Sequence, residues 1–219
     1  MTDLDVQWFK RCYSEGLVRS KMLEVGSAKV QGIPNLCEIA REMGVSDTMG
    51  VDMEQGAGVD AIFDFGLPAV EFAREWRSGT FSTVCIFNVL EHTFDPLTVL
   101  TNALSCVGNG GTLLVLTPSI WPIHSYPRDF NRLLPDWYLE FSRRNQLKLL
   151  DKEFCWLSQF GIETIDLTSE PTLPNYLTRG KTDSQLRYWI SRVGHKLFNT
   201  YGRSHWAPHS AIGAAFSRA

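Results

Sequence analysis

Short apolar runs alternate along the chain with segments whose apolar residues recur at helical spacing. This alternation is typical of an α/β protein, in which helices cover the faces of a sheet. The runs at residues 81–87 and 112–116 are almost wholly apolar, as expected for strands buried on both faces. Further strands are predicted at residues 21–26, 48–52, 58–64, 147–157 and 211–217, and helices at 5–15, 34–43, 68–77, 96–107, 135–145 and 186–201.

Two segments interrupt this pattern. Residues 117–134 contain three prolines among Trp, His, Tyr and Arg side chains, which predicts an extended loop that serves as a lid or acceptor loop. Residues 168–183 are rich in Pro and Thr and are predicted to be irregular. Because no internal repeat or clear linker divides the chain, we expect a single domain over residues 1–219.

Composition and charge exclude several classes of protein. The formal net charge of −3 does not indicate a general nucleic-acid or anionic-membrane binder. The five cysteines include no CxxC pair, which favours reduced thiols in a cytosolic protein. The N-terminus lacks an apolar signal core, and no apolar run approaches the roughly 18 residues of a membrane span, so a cytoplasmic location without membrane contact is expected. His205 and His209 are separated by a proline, which argues against a shared helix face, and no metal site is predicted.

Polar or small residues stand at the ends of the predicted strands. They are Glu24, Gly26 and Ser27 after the first strand, Asp52 after the second, Asp64 after the third and Asn88 after the next. The carboxyl ends of parallel strands meet at one edge of a sheet, where ligands bind. Carboxylates at such positions need partners. A ligand with a ribose diol, an amino group and a positive charge would supply them.

Four short segments carry a family resemblance, namely MLEVGS at residues 22–27, GVDM at 50–53, NVLEH at 88–92 and GGTL at 110–113. In this order they resemble the class I S-adenosylmethionine-dependent methyltransferases, and most closely the small-molecule enzymes grouped as methyltransferase type 11/12. The resemblance covers about residues 20–165. It implies a three-layer Rossmann-like fold with a mostly parallel sheet and a last antiparallel strand. The segment PIHSYPRDF at residues 122–130 resembles an H-x-x-P-x-D-[YF] loop of methyltransferases that accompany polysaccharide or natural-product biosynthesis.

The resemblance implies S-adenosylmethionine as the cofactor and a set of residues that bind it. These residues are Glu24, Gly26, Ser27, Asp52, Met53, Asp64, Phe65, Asn88, Val89 and His92. Asp52 is expected to accept hydrogen bonds from both ribose hydroxyls, and Asp64 to meet the adenine amino group. Plainer roles stay open: a turn or helix cap for Asp52, the N-cap of the helix at 68–77 for Asp64, and a structural hydrogen bond for His92.

Catalysis is assigned to the loop after the strand at 112–116. His124 is the candidate general base, because a neutral imidazole accepts a proton near neutral pH. Asp129 is expected to orient His124 or bind the acceptor, and Arg128 or Arg132 to hold an anionic group. The alternative is that this loop packs only as a lid.

The predicted function is methyl transfer to a small-molecule acceptor, with a hydroxyl of a sugar or natural-product intermediate favoured by the His124 loop. Ala28 and Val30 replace two glycines of the usual cofactor loop, which leaves an inactive binding module as the alternative. A nicotinamide-dependent oxidoreductase is disfavoured because G-x-G-x-x-G is absent. A nucleic-acid methyltransferase is disfavoured by the net charge. A homo-oligomer is possible on the sequence alone.

Overall fold

The computed structural model of the chain describes residues 1–30, 32–124, 128–167 and 209–218. The irregular segment predicted at residues 168–183 and the helix predicted at 186–201 lie outside this part of the chain.

The described residues form five α-helices and nine strands. The helices are α1 (Asp3–Ser14), α2 (Leu36–Glu42), α3 (Ala69–Glu75), α4 (Pro96–Ser105) and α5 (Pro135–Arg144). The strands are β1 (Met22–Val25), β2 (Thr48–Asp52), β3 (Ala61–Ile62), β4 (Phe81–Phe87), β5 (Val107–Ile120), β6 (Lys148–Leu149), β7 (Cys155–Ser158), β8 (Gly161–Thr164) and β9 (Ser210–Ser217).

All nine strands belong to one sheet, in the order β3-β2-β1-β4-β5-β9-β7-β8, with β6 also paired to β9. Strands β1 to β5 pair in parallel. Strand β9 runs antiparallel to β5 and lies between β5 and β7. The predicted fold, a mostly parallel sheet with a last antiparallel strand, is therefore confirmed.

Two apolar clusters flank the sheet, one on each face. Val84 and Ile86 of β4 belong to one cluster, and Cys85 and Phe87, which alternate with them, belong to the other. Helices α3, α4 and α5 contribute to the first cluster, and α1 and α2 to the second. This three-layer arrangement explains why residues 81–87 are apolar on both faces of the strand.

Local side chains determine where the helices near the site begin. Thr2 and Asp5 form a reciprocal capping box, so α1 begins at Asp3 rather than at the predicted residue 5. Asn35 caps α2, and its side chain also donates to the carbonyl oxygen of Ser27 at 3.0 Å. The start of α2 is thus connected directly to the loop that follows β1.

Three predicted strands differ from the observed ones. The strand predicted at residues 147–157 is divided into β6 and β7, because residues 151–153 form a 3₁₀ turn between them. Strand β5 extends to Ile120 and takes in the first residues of the loop predicted at 117–134, because Thr117 and its neighbours pair with β9. Strand β3 has only two residues, and β8 was not predicted.

All five cysteines are free and buried. Burial raises the pKa of the Cys106 thiol to about 12 and that of Cys155 to about 11. Within the described residues, no helix has the length and apolar character needed to cross a membrane.

Candidate functional site

The carboxyl ends of β1, β2, β4 and β5 lie side by side because these strands are parallel neighbours. Gly26, Asp52 and Asn88 each lie at or directly after the end of their strand. The predicted loop with His124 follows the end of β5. The fold therefore brings the predicted cofactor and acceptor residues to one edge of the sheet.

Gly26 begins the loop after β1 and requires the absence of a side chain. Its φ of +83° lies in the left-handed region, and a Cβ here would lie 2.2 Å from Cγ2 of Val89. The amide N–H groups of Gly26 and Ser27 donate to the carbonyl oxygen of Val51 at 2.8 and 3.1 Å. The Ser27 hydroxyl is buried and has no hydrogen-bond partner among the residues that the structure describes. The close approach of Gly26 to Val89 joins two segments of the predicted cofactor site.

Gly26→Ala is expected to lower the free energy of unfolding by about 2–4 kcal/mol, because it adds a left-handed backbone penalty and an overpacked contact. Val89→Ala removes only the contact. The double variant is therefore expected to show a favourable coupling of about 1–3 kcal/mol in a double-mutant cycle of urea unfolding. Strictly additive effects would contradict the close contact.

Asp52 is half-buried and its carboxylate is held by two backbone groups. The amide N–H of Ala28 donates to Oδ2 at 3.0 Å, and that of Glu54 donates to Oδ1 at 3.2 Å. A carboxylate offers about four lone-pair positions, so two stay available for further donors. This arrangement fits a ribose diol. Met53 is 64% exposed beside it and Glu54 is also exposed.

Glu24 is buried in β1 and has partners that the sequence did not indicate. Its two carboxylate oxygens accept hydrogen bonds from the backbone N–H groups of Leu36 and Cys37, at 3.0 and 2.8 Å, at the first turn of α2. Burial outweighs these bonds and raises the pKa of Glu24 to about 7. The carboxylate thus connects β1 to α2, while its contact with the cofactor stays a prediction.

The stability of the chain relative to Glu24→Gln is expected to fall as the pH rises from about 4 to about 8. The folded-state pKa of about 7 exceeds the ordinary value of 4.5, so the folded state binds the proton more tightly. The stability that protonated Glu24 contributes is present below the ordinary pKa. It is lost as the pH rises through this range, by about 3 kcal/mol in all. Urea unfolding of both proteins across this range measures the difference. A difference that does not change with pH would contradict the raised pKa.

Asp64 and Phe65 follow β3 and differ in environment. Asp64 does not cap α3, whose N-cap position is held by Pro68 without a side-chain hydrogen bond. Instead its Oδ1 accepts a hydrogen bond from the N–H of Gly66 at 2.6 Å. Phe65 is buried against Phe72 and Trp76, with ring centroids 5.1 and 5.2 Å apart. Packing therefore accounts for Phe65, and contact of either residue with adenine stays a prediction.

Asn88 is held by the N-terminal helix. Its φ of +54° is one that Asn tolerates better than most residues. Its side-chain amide donates to Oδ2 of Asp5 at 3.0 Å, and Asp5 is buried. The sequence did not assign Asp5 to the site; its capping-box position in α1 was the only available signal. Helix α1 thereby fixes the residue that begins the predicted methionine-binding segment.

The acceptor loop is organised around Asp129. Its carboxylate accepts a hydrogen bond from the backbone N–H of His124 at 2.8 Å and pairs with both terminal nitrogens of Arg132. The Nδ1 atom of His124 lies 3.3 Å from Oδ2 of Asp129. The Arg132 bonds, followed by the His124 N–H, lower the pKa of Asp129 to about 2. Arg128 is exposed and its carbonyl oxygen faces His92. The structure therefore brings His124, Asp129 and Arg132 together.

Glu91 and His92 form a 3₁₀ turn with Leu90 directly after Asn88 and Val89. The Nδ1 atom of His92 lies 2.5 Å from the carbonyl oxygen of Arg128, so the structural hydrogen bond expected as the plainer role of His92 is present. Glu91 is 2% exposed, and its backbone carbonyl accepts the N–H of Phe130 at 2.7 Å. Burial raises the pKa of Glu91 to about 7. This turn thus connects the cofactor edge to the acceptor loop.

The sheet order, with a glycine turn after β1 and a carboxylate at the end of β2, is that of the Rossmann-like α/β proteins. A family model described as a methyltransferase domain matches residues 7–160, which is more than half of the chain. The chain belongs to this family of S-adenosylmethionine-dependent methyltransferases, and its cofactor is S-adenosylmethionine. The resemblance inferred from the four motifs is therefore confirmed.

Solved structures show the same fold at low sequence identity. A methyltransferase from Archaeoglobus fulgidus is 14% identical, with a TM-score of 0.55 over 99% of this chain and 94% of that chain. One from Clostridium acetobutylicum is 10% identical, with a TM-score of 0.57 over 99% and 92%. Phosphoethanolamine N-methyltransferase 2 of Haemonchus contortus, bound to S-adenosyl-L-methionine, is 12% identical, with a TM-score of 0.53 over 97% of this chain and 52% of that chain. A comparison with curated protein sequences found no match.

Proposed function

We propose that this methyltransferase acts on a hydroxyl group of a small molecule, with a sugar or natural-product intermediate as the acceptor. The observation that carries this proposal is the placement of His124. It follows β5, the strand adjacent to β4, and lies 3.3 Å from the Asp129 carboxylate. A hydroxyl needs help to lose its proton when it attacks a methyl group, and a histidine beside a carboxylate promotes this step.

The residues of this chain divide between cofactor binding and acceptor activation. S-adenosylmethionine supplies an activated methyl group on a positively charged sulfur. Asp52 binds the ribose, Asp64 the adenine amino group, and the backbone of residues 88–92 borders the methionine part. The close contact of Gly26 with Val89 fixes the loop on one side.

Acceptor activation is assigned to the loop after β5. Asp129 holds the backbone of His124 and is itself fixed by Arg132, so the imidazole needs little reorganisation when the acceptor binds. His124 promotes the loss of the acceptor proton as the methyl group passes from sulfur to oxygen. Alignment of the acceptor oxygen, methyl carbon and sulfur is expected to lower the barrier by up to about 7–11 kcal/mol.

The test is an acceptor screen with isotopically labelled S-adenosylmethionine. Sugars, sugar nucleotides and hydroxylated natural-product scaffolds are compared with amine acceptors of similar size. Label incorporated into a base-stable methyl ether supports the proposal. Label found only on nitrogen would refute the hydroxyl assignment. Cofactor binding without transfer to any component of a cell extract would favour an inactive binding module.

A further inference from the structure

We propose that Glu91, His92 and His124 bind one divalent transition-metal ion at the border of the acceptor site. One ligand atom from each side chain lies within 4.8 Å of the others. Two imidazoles and one carboxylate form a ligand set that proteins use for Zn²⁺ and related first-row cations. No metal site was predicted from the sequence, because His124 lies in a separate loop after the neighbouring strand.

The hydrogen bond of His92 orients its ring for such a role. The Arg128 carbonyl can only accept, so Nδ1 of His92 carries the hydrogen. Its Nε2 then presents a lone pair, 3.7 Å from Oε1 of Glu91. Metal-binding histidines usually donate the second ring nitrogen to a carbonyl or carboxylate in this manner. A lone pair that faces a carboxylate oxygen is unfavourable unless a proton or a metal cation lies between them.

Two other atoms of the cluster lack partners. Oε2 of Glu91 and Nδ1 of His124 are buried without a hydrogen bond to any described residue. Such atoms carry a desolvation cost that a bound cation would offset.

Local charge also favours a cation. Asp5 and Asp129 act electrostatically on the buried Glu91, and Arg132 is the cation that acts on it. Arg132 is itself paired with Asp129. Arg132 is therefore shared between the Glu91 and Asp129 carboxylates. Bound Zn²⁺ would draw the ligand atoms to about 3.3 Å from one another, a small movement of side chains alone.

This inference deepens the proposed function, on which its mechanistic role rests. Three protein ligands leave a position open for the acceptor hydroxyl. Coordination lowers the pKa of the hydroxyl, its proton passes to water, and the oxygen forms a bond to the methyl carbon as the carbon–sulfur bond breaks. In this form of the site His124 is a ligand of the cation, and water rather than its imidazole takes the proton.

The experiment is calorimetric titration of the tag-free, chelator-treated full chain with Zn²⁺ alone, followed by Co²⁺ spectroscopy. We expect one site per chain and Co²⁺ d–d absorption without a thiolate charge-transfer band, since the cysteines are buried. His124→Ala is expected to weaken binding at least about tenfold. His209→Ala is the matched control, because His209 packs on Trp121 outside the cluster, and it is expected to leave binding unchanged.

Absent Zn²⁺ binding, or equal binding by the chain and His124→Ala, would overturn the inference. If His124→Ala does not fold, His124→Asn gives the same comparison. Titration of the same samples with S-adenosylhomocysteine separates the two proposals. If the chain binds the nucleoside but not Zn²⁺, only the proposal of a cation site is refuted. If the chain binds Zn²⁺ but not the nucleoside, the proposal of a cation site stands and the proposed function is refuted.

Discussion

Asp52→Ala is expected to weaken S-adenosylmethionine binding by about a hundredfold or more, because the two charge-assisted hydrogen bonds that we propose between Asp52 and the ribose would be lost. The substitution also frees the N–H groups of Ala28 and Glu54, which Asp52 holds in the structure. Asp52→Asn keeps the shape and one acceptor oxygen, so an intermediate loss is expected. Calorimetric titration with the cofactor measures the three affinities.

Glu54→Gln is the matched control for Asp52. Glu54 is exposed, and only its backbone N–H bonds to Asp52. The Glu54→Gln variant is therefore expected to bind the cofactor with an affinity within about twofold of that of the parent chain. Circular dichroism shows whether Asp52→Ala stays folded. Unchanged cofactor affinity in folded Asp52→Ala would show that the ribose binds elsewhere.

His124→Ala is expected to lower kcat by about a hundredfold or more once an acceptor is known, while S-adenosylhomocysteine affinity stays within about twofold. The reason is that the proposed role of His124 is on the acceptor and not on the cofactor. Its loop position is held by its backbone N–H, which the alanine variant keeps. Single-turnover kinetics with saturating cofactor separates the chemical step from binding.

Trp121 offers a comparison within the same loop. It is half-buried against His209 and has no place in the proposed chemistry, so Trp121→Phe is expected to retain most of the turnover. If His124→Ala retains full turnover as well, the loop is a lid and the base assignment is wrong.

Much of the fold could be predicted because strands buried on both faces are apolar throughout. Residues 81–87 show this most clearly, since alternate side chains enter the two clusters on opposite faces. Strand β8 consists of half-buried or exposed residues, so its sequence lacks the continuous apolar run that identifies a buried strand. The strand predicted at 147–157 was too long because apolar residues continue on both sides of the turn at 151–153.

Part of the site could be predicted because strand ends meet at one edge of a parallel sheet. Gly26 and Asp52 were assigned to the site in this way, and the structure places both residues at that edge. Partners that are distant along the chain could not be predicted, because no local sequence pattern indicates them. Glu24 bonds to residues 36 and 37, and Asn88 bonds to Asp5 in the first helix. The cluster of Glu91 with His124 depends in the same way on the adjacency of β4 and β5.

Calorimetric titration of the purified chain with S-adenosylhomocysteine is the decisive measurement. We expect one nucleoside per chain with a dissociation constant in the micromolar range, together with heat that is much reduced in Asp52→Ala. No binding of the nucleoside by the folded chain would contradict the central claim that the carboxylate and glycine at the ends of β2 and β1 hold an adenosyl group.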